Sequence, residues 1–307
     1  ALESEDGLRT SLLLLDTRTF RDSHWIRSLG EIPLPLTPIL AALVRTFSSL
    51  SDLDKDHDGD MLGEEQWRWL ERELQQEMES ESAADVLVIG SSVQVFTTNP
   101  LVESWGHFPK SKERLLGLLK KYVHPSTPVV FLSGDVHEAE LSEVFFSIEE
   151  QEQEQEGSIL EITSSGLTHT CTGPLLYGWT CNVFNNIFNE HRRAYGDWFT
   201  GLNFGSLRLE REDGCLRLRL SAMGLANPKQ HKGGVEPKLA MDIPFCPQDI
   251  APSARMGEIR APAFIRSPPF VLFTFLVLLA LLLFALLYLL PKSRPILKKR
   301  NRKKKEA

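Results

Sequence analysis

The sequence is poor in sulfur and free of repetition. Its four cysteines, Cys171, Cys181, Cys215 and Cys246, are not spaced as a zinc site. They permit three disulfide pairings, of which the closest pair, Cys171–Cys181, is preferred. No internal repeat is visible, so repeat architectures are excluded. The start at Ala1 has no initiator Met, no basic n-region and no signal-type apolar run; a strand-like SLLLLDTR follows almost at once, which reads as a fragment or a processed chain. What is present suits a folded protein: 42% of the 307 residues are hydrophobic, enough for one sizeable core plus appendages.

Long apolar runs are absent except for one. Phe270 to Leu290 carries no charge and is long enough to cross the roughly 30 Å hydrocarbon core of a bilayer as a helix. Pro268, Pro269 and Pro291 bracket it. Residues 291–307 then hold nine Lys/Arg and one acid, a net charge of +8, which leaves about −15 of the chain's −7 total on the preceding part. A basic tail beside an apolar span predicts a single-pass type I membrane protein, with the tail in the cytosol and the acidic body in the lumen or outside. An acidic body is not expected to bind nucleic acid. Lys304-Lys305-Glu306-Ala307 has the form of a dilysine signal for retrieval to the endoplasmic reticulum; a plain stop-transfer cluster is the other reading. The four cysteines then fall on the lumenal side, where disulfides persist.

Short β-branched runs alternate with amphipathic stretches, predicting a mixed α/β (α+β) domain over residues 1–245. Strands are expected at Ser11–Asp16, Asp85–Gly90, Pro128–Ser133, Leu141–Ser147, Ile159–Thr163, Phe204–Glu210 and Leu216–Ser221. Helices are expected at Pro38–Ser49, Glu64–Met78, Lys112–Tyr122 and Val183–His191. The acidic stretch EEQEQEQEG (Glu149 to Gly157) is predicted to be a solvated loop. Residues 246–269, rich in Pro, Ser, Arg and Ala, are predicted to be a linker to the membrane.

Two motifs suggest chemistry. In PVVFLSGDVH (Pro128–His137) an apolar strand breaks at a glycine and delivers Asp135 and His137 at its carboxyl end, the edge where ligands of open α/β sheets gather. A carboxylate suits a hard cation, and an imidazole suits metal or phosphate; the bland reading is a strand-end turn with a capping Asp. In DKDHDGDMLGEE (Asp54–Glu65) acids stand at loop positions 1, 3 and 5, glycine at 6 and glutamate at 12, the EF-hand order that serves a calcium ion wanting about six to eight oxygens. Asp54, Asp56, Asp58, Asp60 and Glu65 are the candidate ligands, and a self-repelling surface loop is the alternative. Leu62, Gln66, Trp69, Leu70 and Leu74 share one helical face, which predicts core. His107 and His169 sit in loops and read as ordinary surface or core histidines.

The ordered series LLLLDTRTFRD (Leu12–Asp22), MLGEEQWRWLERELQ (Met61–Gln75), VLVIGSSVQV (Val86–Val95), ESWGHFP (Glu103–Pro109), VVFLSGDVHEAEL (Val129–Leu141) and EITSSGLTH (Glu161–His169) resembles the PhoD-like (alkaline phosphatase D) metallophosphatases. The resemblance implies a two-sheet sandwich flanked by helices, with a metal cluster at the strand ends that hydrolyses phosphate mono- or diesters; iron, calcium, manganese or zinc are the ions to consider. It implies Asp135 as a metal ligand and His137 as a ligand or phosphate-side group. Family members carry further metal-binding residues upstream of the LDTR strand, so this chain is expected to be the carboxy-terminal part, incomplete at its amino end and inactive alone. Asp56-His57-Asp58 fits calcium better than it fits those missing ligands. The alternative function is a non-catalytic, calcium-binding membrane protein on a degenerate phosphatase fold.

Overall fold

A computed structural model describes residues 2–4, 7–25, 37–78, 83–150, 153–170, 181, 185–188, 190–192, 196–212, 214–225, 234–246, 276 and 280. In chain order the elements are β1 (Leu2–Glu3), β2 (Arg9–Leu14), α1 (Thr37–Leu50), α2 (Glu64–Met78), β3 (Val86–Gly90), a 3-10 turn (Trp105–His107), α3 (Pro109–Tyr122), β4 (Val129–Ser133), β5 (Ala139–Glu150), β6 (Gln153–Ser164), β7 (Trp198–Phe199), β8 (Asn203–Glu212), β9 (Cys215–Leu225) and β10 (Val235–Phe245).

Seven strands form one sheet in the order β1-β2-β3-β4-β6-β5-β7, and three form a second in the order β10-β9-β8. β2, β3, β4 and β6 run parallel. The runs VLVIG and VVFLS are apolar at consecutive positions because a parallel strand is buried on both faces. Leu87, Ile89, Val129 and Phe131 turn one way, onto Trp67, Leu70 and Leu74 of α2 and Leu115 and Leu119 of α3. Val86, Val88 and Val130 turn the other way, onto Leu218, Leu220 and Ala222 of the second sheet. The order of layers is therefore helices, large sheet, small sheet. The expected α/β two-sheet architecture is present, but among the described residues helices pack on one side of the sheet pair only.

The acidic stretch is not the predicted loop. β5 and β6 form one long antiparallel hairpin whose register runs through Ser147↔Glu156 and Ile148↔Gln155 to Glu150↔Gln153. Continuing the ladder gives the backbone N–H and C=O groups that face the other strand, about half of those in the stretch, a partner that a low-complexity coil of the same composition would not. On α2 the buried tryptophan is Trp67, in step with Leu70 and Leu74, whereas Trp69 is half-buried. β7 and β10 were not expected at all. Of the predicted helix Val183–His191, residues 185–187 are helical.

Cys215, at the start of β9, is bonded to Cys246, just past the end of β10, closing a separation of 31 residues. A loop of that size is worth about 3–4 kcal/mol in lost unfolded-chain entropy. Gly214 opens β9 at φ +81°, left-handed backbone that glycine adopts without strain. Cys181 is also disulfide-bonded, while Cys171 lies outside the described residues. Among the described residues no helix is long and apolar enough to cross a membrane. The run 270–290 lies outside them except for helical Leu276 and Ala280, as do the linker beyond Cys246 and the basic tail with Lys304 and Lys305.

Candidate active site at the carboxyl edge of the parallel strands

The four parallel strands end on the same edge, and each hands over to a polar loop: Asp16-Thr17-Arg18 after β2, Ser91-Ser92 after β3, Gly134-Asp135-Val136-His137 after β4 and Ser165 to His169 after β6. The loops meet tightly. A Cβ added to Gly134 would stand 3.4 Å from Ser165 Cβ and 3.9 Å from the Ser92 carbonyl oxygen. Thr17 and Ser92 share a short hydroxyl–hydroxyl hydrogen bond, and Ser165 Oγ accepts the His137 backbone N–H at 2.9 Å.

Asp135 (φ +78°) and His137 (φ +59°) both hold left-handed backbone. For residues other than glycine this costs on the order of 1 kcal/mol or more each, and such strain concentrates at functional sites. The two turns aim alternate side chains of the GDVH segment out of the strand end. Asp135 Oδ1 accepts from Arg18 Nη2 at 2.8 Å, with the side chains 34% and 44% exposed, so the pair is open to solvent. The His137 ring lies edge-on to His169, centroids 3.9 Å apart.

Arg18 is fixed from behind. Asp16 Oδ1 accepts the backbone N–H groups of Arg18 (3.0 Å) and Thr19 (2.9 Å), closing the turn after β2. Gln66 of α2 clamps the same turn, receiving the Asp16 N–H at 2.8 Å and donating to the Asp16 carbonyl at 2.9 Å. Glu103 accepts from Arg18 Nη1 (3.0 Å), from Arg21, and from His24 Nε2 at 3.1 Å. Burial alone would raise the Glu103 pKa, but the His24 hydrogen bond and the two guanidinium groups hold it well below the ordinary carboxylate range. Burial also lowers the pKa of His24, against the pull of Glu103.

Behind the edge runs a buried polar network. Glu161 accepts the N–H groups of Val95 and Phe96, at 2.8 Å each. Gln94 donates to Glu140 (2.8 Å) and Thr163 (3.0 Å), and Arg192 pairs with Glu140 at 2.6 Å. Glu138 accepts from Asn185; burial, helped by Glu140 nearby, pushes Glu138 up to about 8. These groups lock the strand ends in place.

The proposed calcium ligands are not drawn together. The loop does join α1 to α2, but Asp54 is buried facing His107 Nδ1 at 3.5 Å. Asp60 takes the Trp67 indole N–H (2.7 Å) and the backbone N–H groups of Leu62 and Gly63, closing the turn that leads into α2. Asp56, Asp58 and Glu65 stand exposed. Among the described residues no group of three or more His, Cys, Asp or Glu side chains is arranged to hold a metal ion. At the strand edge Asp135 and His137 match a catalytic ion in kind, one oxygen and one nitrogen donor, but supply two positions only. As it stands, the edge collects a guanidinium, two imidazoles and two accessible hydroxyls, a set of donors suited to an oxyanion.

Asp135 and His137 were expected at this edge. Arg18, Glu103 and Gln66 were not, although Arg18 follows its strand as GDVH follows β4. His169, read as an ordinary histidine, lies against His137. No curated protein matches the chain. A solved structure of PhoD matches with TM-score 0.45 and 15% identity over 88% of this chain and 48% of that one, so the chain spans about half the length of that protein. The model of the PhoD-like phosphatases matches residues 4–220, most of the chain and all of the loops described above, and the chain belongs to the PhoD-like phosphatase family.

Proposed function

We propose that this chain contributes the Asp135–His137 side of the active site of a metal-dependent phosphohydrolase acting on phosphate mono- or diesters. The observation that carries the reading is the meeting of Arg18, Asp135, His137 and His169 at one strand edge, with left-handed backbone at both GDVH positions. Arg18, anchored by Glu103, presents a planar fork that matches two phosphoryl oxygens. An incoming phosphate competes with Asp135 for that fork and leaves the carboxylate free. The His137 and His169 rings and the Ser92 and Ser165 hydroxyls offer further hydrogen bonds to the ester oxygens, with buried Thr17 holding Ser92 from behind. A bound ion would polarise a phosphoryl oxygen and lower the pKa of water; Asp135 and His137 are the donors this chain offers it.

The test is hydrolysis of p-nitrophenyl phosphate and bis(p-nitrophenyl) phosphate by the full-length protein and its variants, with metal content measured on each. Asp135→Asn is expected to lower turnover by about 100-fold or more, because a ligand charge is lost while the shape stays. His137→Ala is expected to impair it too. Wild-type turnover and metal content in Asp135→Asn would reduce GDVH to a turn. The 307-residue chain alone is expected to be nearly inactive, since two donors hold an ion weakly.

Two finer parts of the proposal rest on sequence. The apolar run 270–290 and the +8 tail support a type I anchor with a lumenal body, and Lys304-Lys305 supports retrieval to the endoplasmic reticulum. The helix–loop–helix order around Asp54–Glu65 supports a calcium ion in that loop, which is also the feature favouring the non-catalytic alternative.

A further inference from the structure

A cavity of about 410 Å³ lies beside the loop from Thr97 to His107, between the end of α1 and the start of α3. Its lining includes Asp52, Thr98, Ser104, His107, Lys112 and Glu190, and none of the strand-edge residues Arg18, Asp135, His137 or His169. The volume is within the range of small-molecule sites.

Two donors in its wall have no acceptor among the described residues. Lys112 of α3 holds its ammonium 5.4 Å from the centre of the Phe96 ring. Its closest electrostatic support is Glu161, whose carboxylate is already committed to Val95 and Phe96, and no ion pair reaches Lys112 among the described residues. Loss of water around the ammonium pushes Lys112 down to about 8. Thr98 Oγ1 is buried without a hydrogen-bond partner. The buried, unpaired Thr98 hydroxyl is costly as it stands, and an anionic group in the cavity would satisfy it while pairing with the partly exposed Lys112 ammonium in the same wall. The same wall carries acids: Asp52, exposed and held at φ +54°, and Glu190. A simple anion meets repulsion there, whereas a molecule with a cationic end does not.

We propose that this cavity binds a small zwitterion, its anionic group received by Lys112 and Thr98 and its ammonium directed to Asp52. Such a ligand restores the proton on Lys112. Among the described residues, Glu161 from β6 is the group whose charge reaches Lys112, while His107 from the 3-10 turn, Asp52 from the loop after α1, and Glu190 line the same cavity.

The probe is 2-aminoethylphosphonate, whose P–C bond a phosphatase does not hydrolyse, titrated calorimetrically into the whole chain at pH 8 in two buffers of different ionisation enthalpy. Wild type is expected to bind with uptake of up to about half a proton, because a group near its pKa is driven to its charged form. Lys112→Met should weaken binding at least tenfold and abolish the uptake, and Thr98→Val should weaken it several-fold. Asp52→Asn should weaken aminoethylphosphonate but leave ethylphosphonate unchanged. Asp135→Asn, at the strand edge, should bind as wild type does. If Lys112→Met does not fold, Thr98→Val and the wild-type proton uptake decide. Absence of saturable binding up to about 10 mM, or binding indifferent to both Lys112→Met and Thr98→Val, overturns the proposal; the second outcome would put the probe at the strand edge.

Discussion

Glu103→Gln should loosen the strand edge without opening a cavity. Glutamine keeps the shape, but its one carbonyl serves one guanidinium and its NH₂ group faces another donor. Of the three partners, His24 counts as a neutral hydrogen bond because burial lowers its pKa, so two ion pairs carry the charge. The Arg18 pair, 44% and 20% exposed, is worth about 0.5–1 kcal/mol after screening. The Arg21 pair, 19% and 20% exposed, is worth about 1–2 kcal/mol as a charge-assisted hydrogen bond. The loss should therefore be about 2 kcal/mol, roughly thirtyfold in the folding equilibrium. Because the folded pKa of Glu103 is depressed, its contribution is complete above the ordinary carboxylate pKa and declines as pH falls below about 4.5. Urea denaturation followed by tryptophan fluorescence should show a gap between wild type and variant at pH 7 that narrows by pH 3. Equal midpoints at pH 7, or a gap that stays constant down to pH 3, would refute the reasoning. If the full-length protein is the phosphohydrolase proposed above, the variant should also lose activity, since the glutamine carbonyl can hold only one of Arg18 and Arg21.

Glu138 behaves oppositely. Its folded pKa, raised to about 8, lies above the unfolded value, so stability falls as pH rises from about 4.5 to 8, by about 1.4 kcal/mol per pH unit. Glu138→Gln, which keeps an acceptor for Asn185, should flatten that slope in urea titrations, and an unchanged slope would count against the buried acid. If the Asp54–Glu65 loop binds calcium, millimolar calcium should raise the melting temperature by a few degrees and Glu65→Gln should remove the gain; an unmoved melting point dismisses the site. Protease added to intact microsomes should clip only the basic tail, and digestion of the main domain would end the type I assignment.

Local signals were read well from sequence alone. Val86–Gly90 and Val129–Ser133 were expected within a residue, and Glu64–Met78 to the residue, because continuous apolar runs and 3.6-residue periodicity need no distant partner. β10 was hidden by its prolines. Pro237 adjoins a register shift and Pro244 pairs near the end of the ladder, and both are tolerated because β10 is an edge strand. In the site, Asp135 and His137 were legible because glycine marks the strand end. Arg18 and Glu103 were not, since they join Asp135 and one another across 117 and 85 residues. Trp67 was missed because the face through Leu70 and Leu74 was widened toward Trp69 instead of Trp67, which flanks it on the other side, and only packing on the sheet chooses between them.

β10 lies at the rim of the small sheet and pairs with β9 alone. A pull on the end of such a strand would ordinarily peel it away one rung at a time, a low-force route to unfolding. Cys246 stands at that end and is bonded to Cys215 on the central strand of the three. Tension arriving from residue 247 onward is therefore shunted past β10 into β9, which is held by ladders on both flanks. In an oxidising environment the connection to whatever follows works as a mechanical fuse set high; in a reducing one it is set low, and β10 becomes the first piece to come loose.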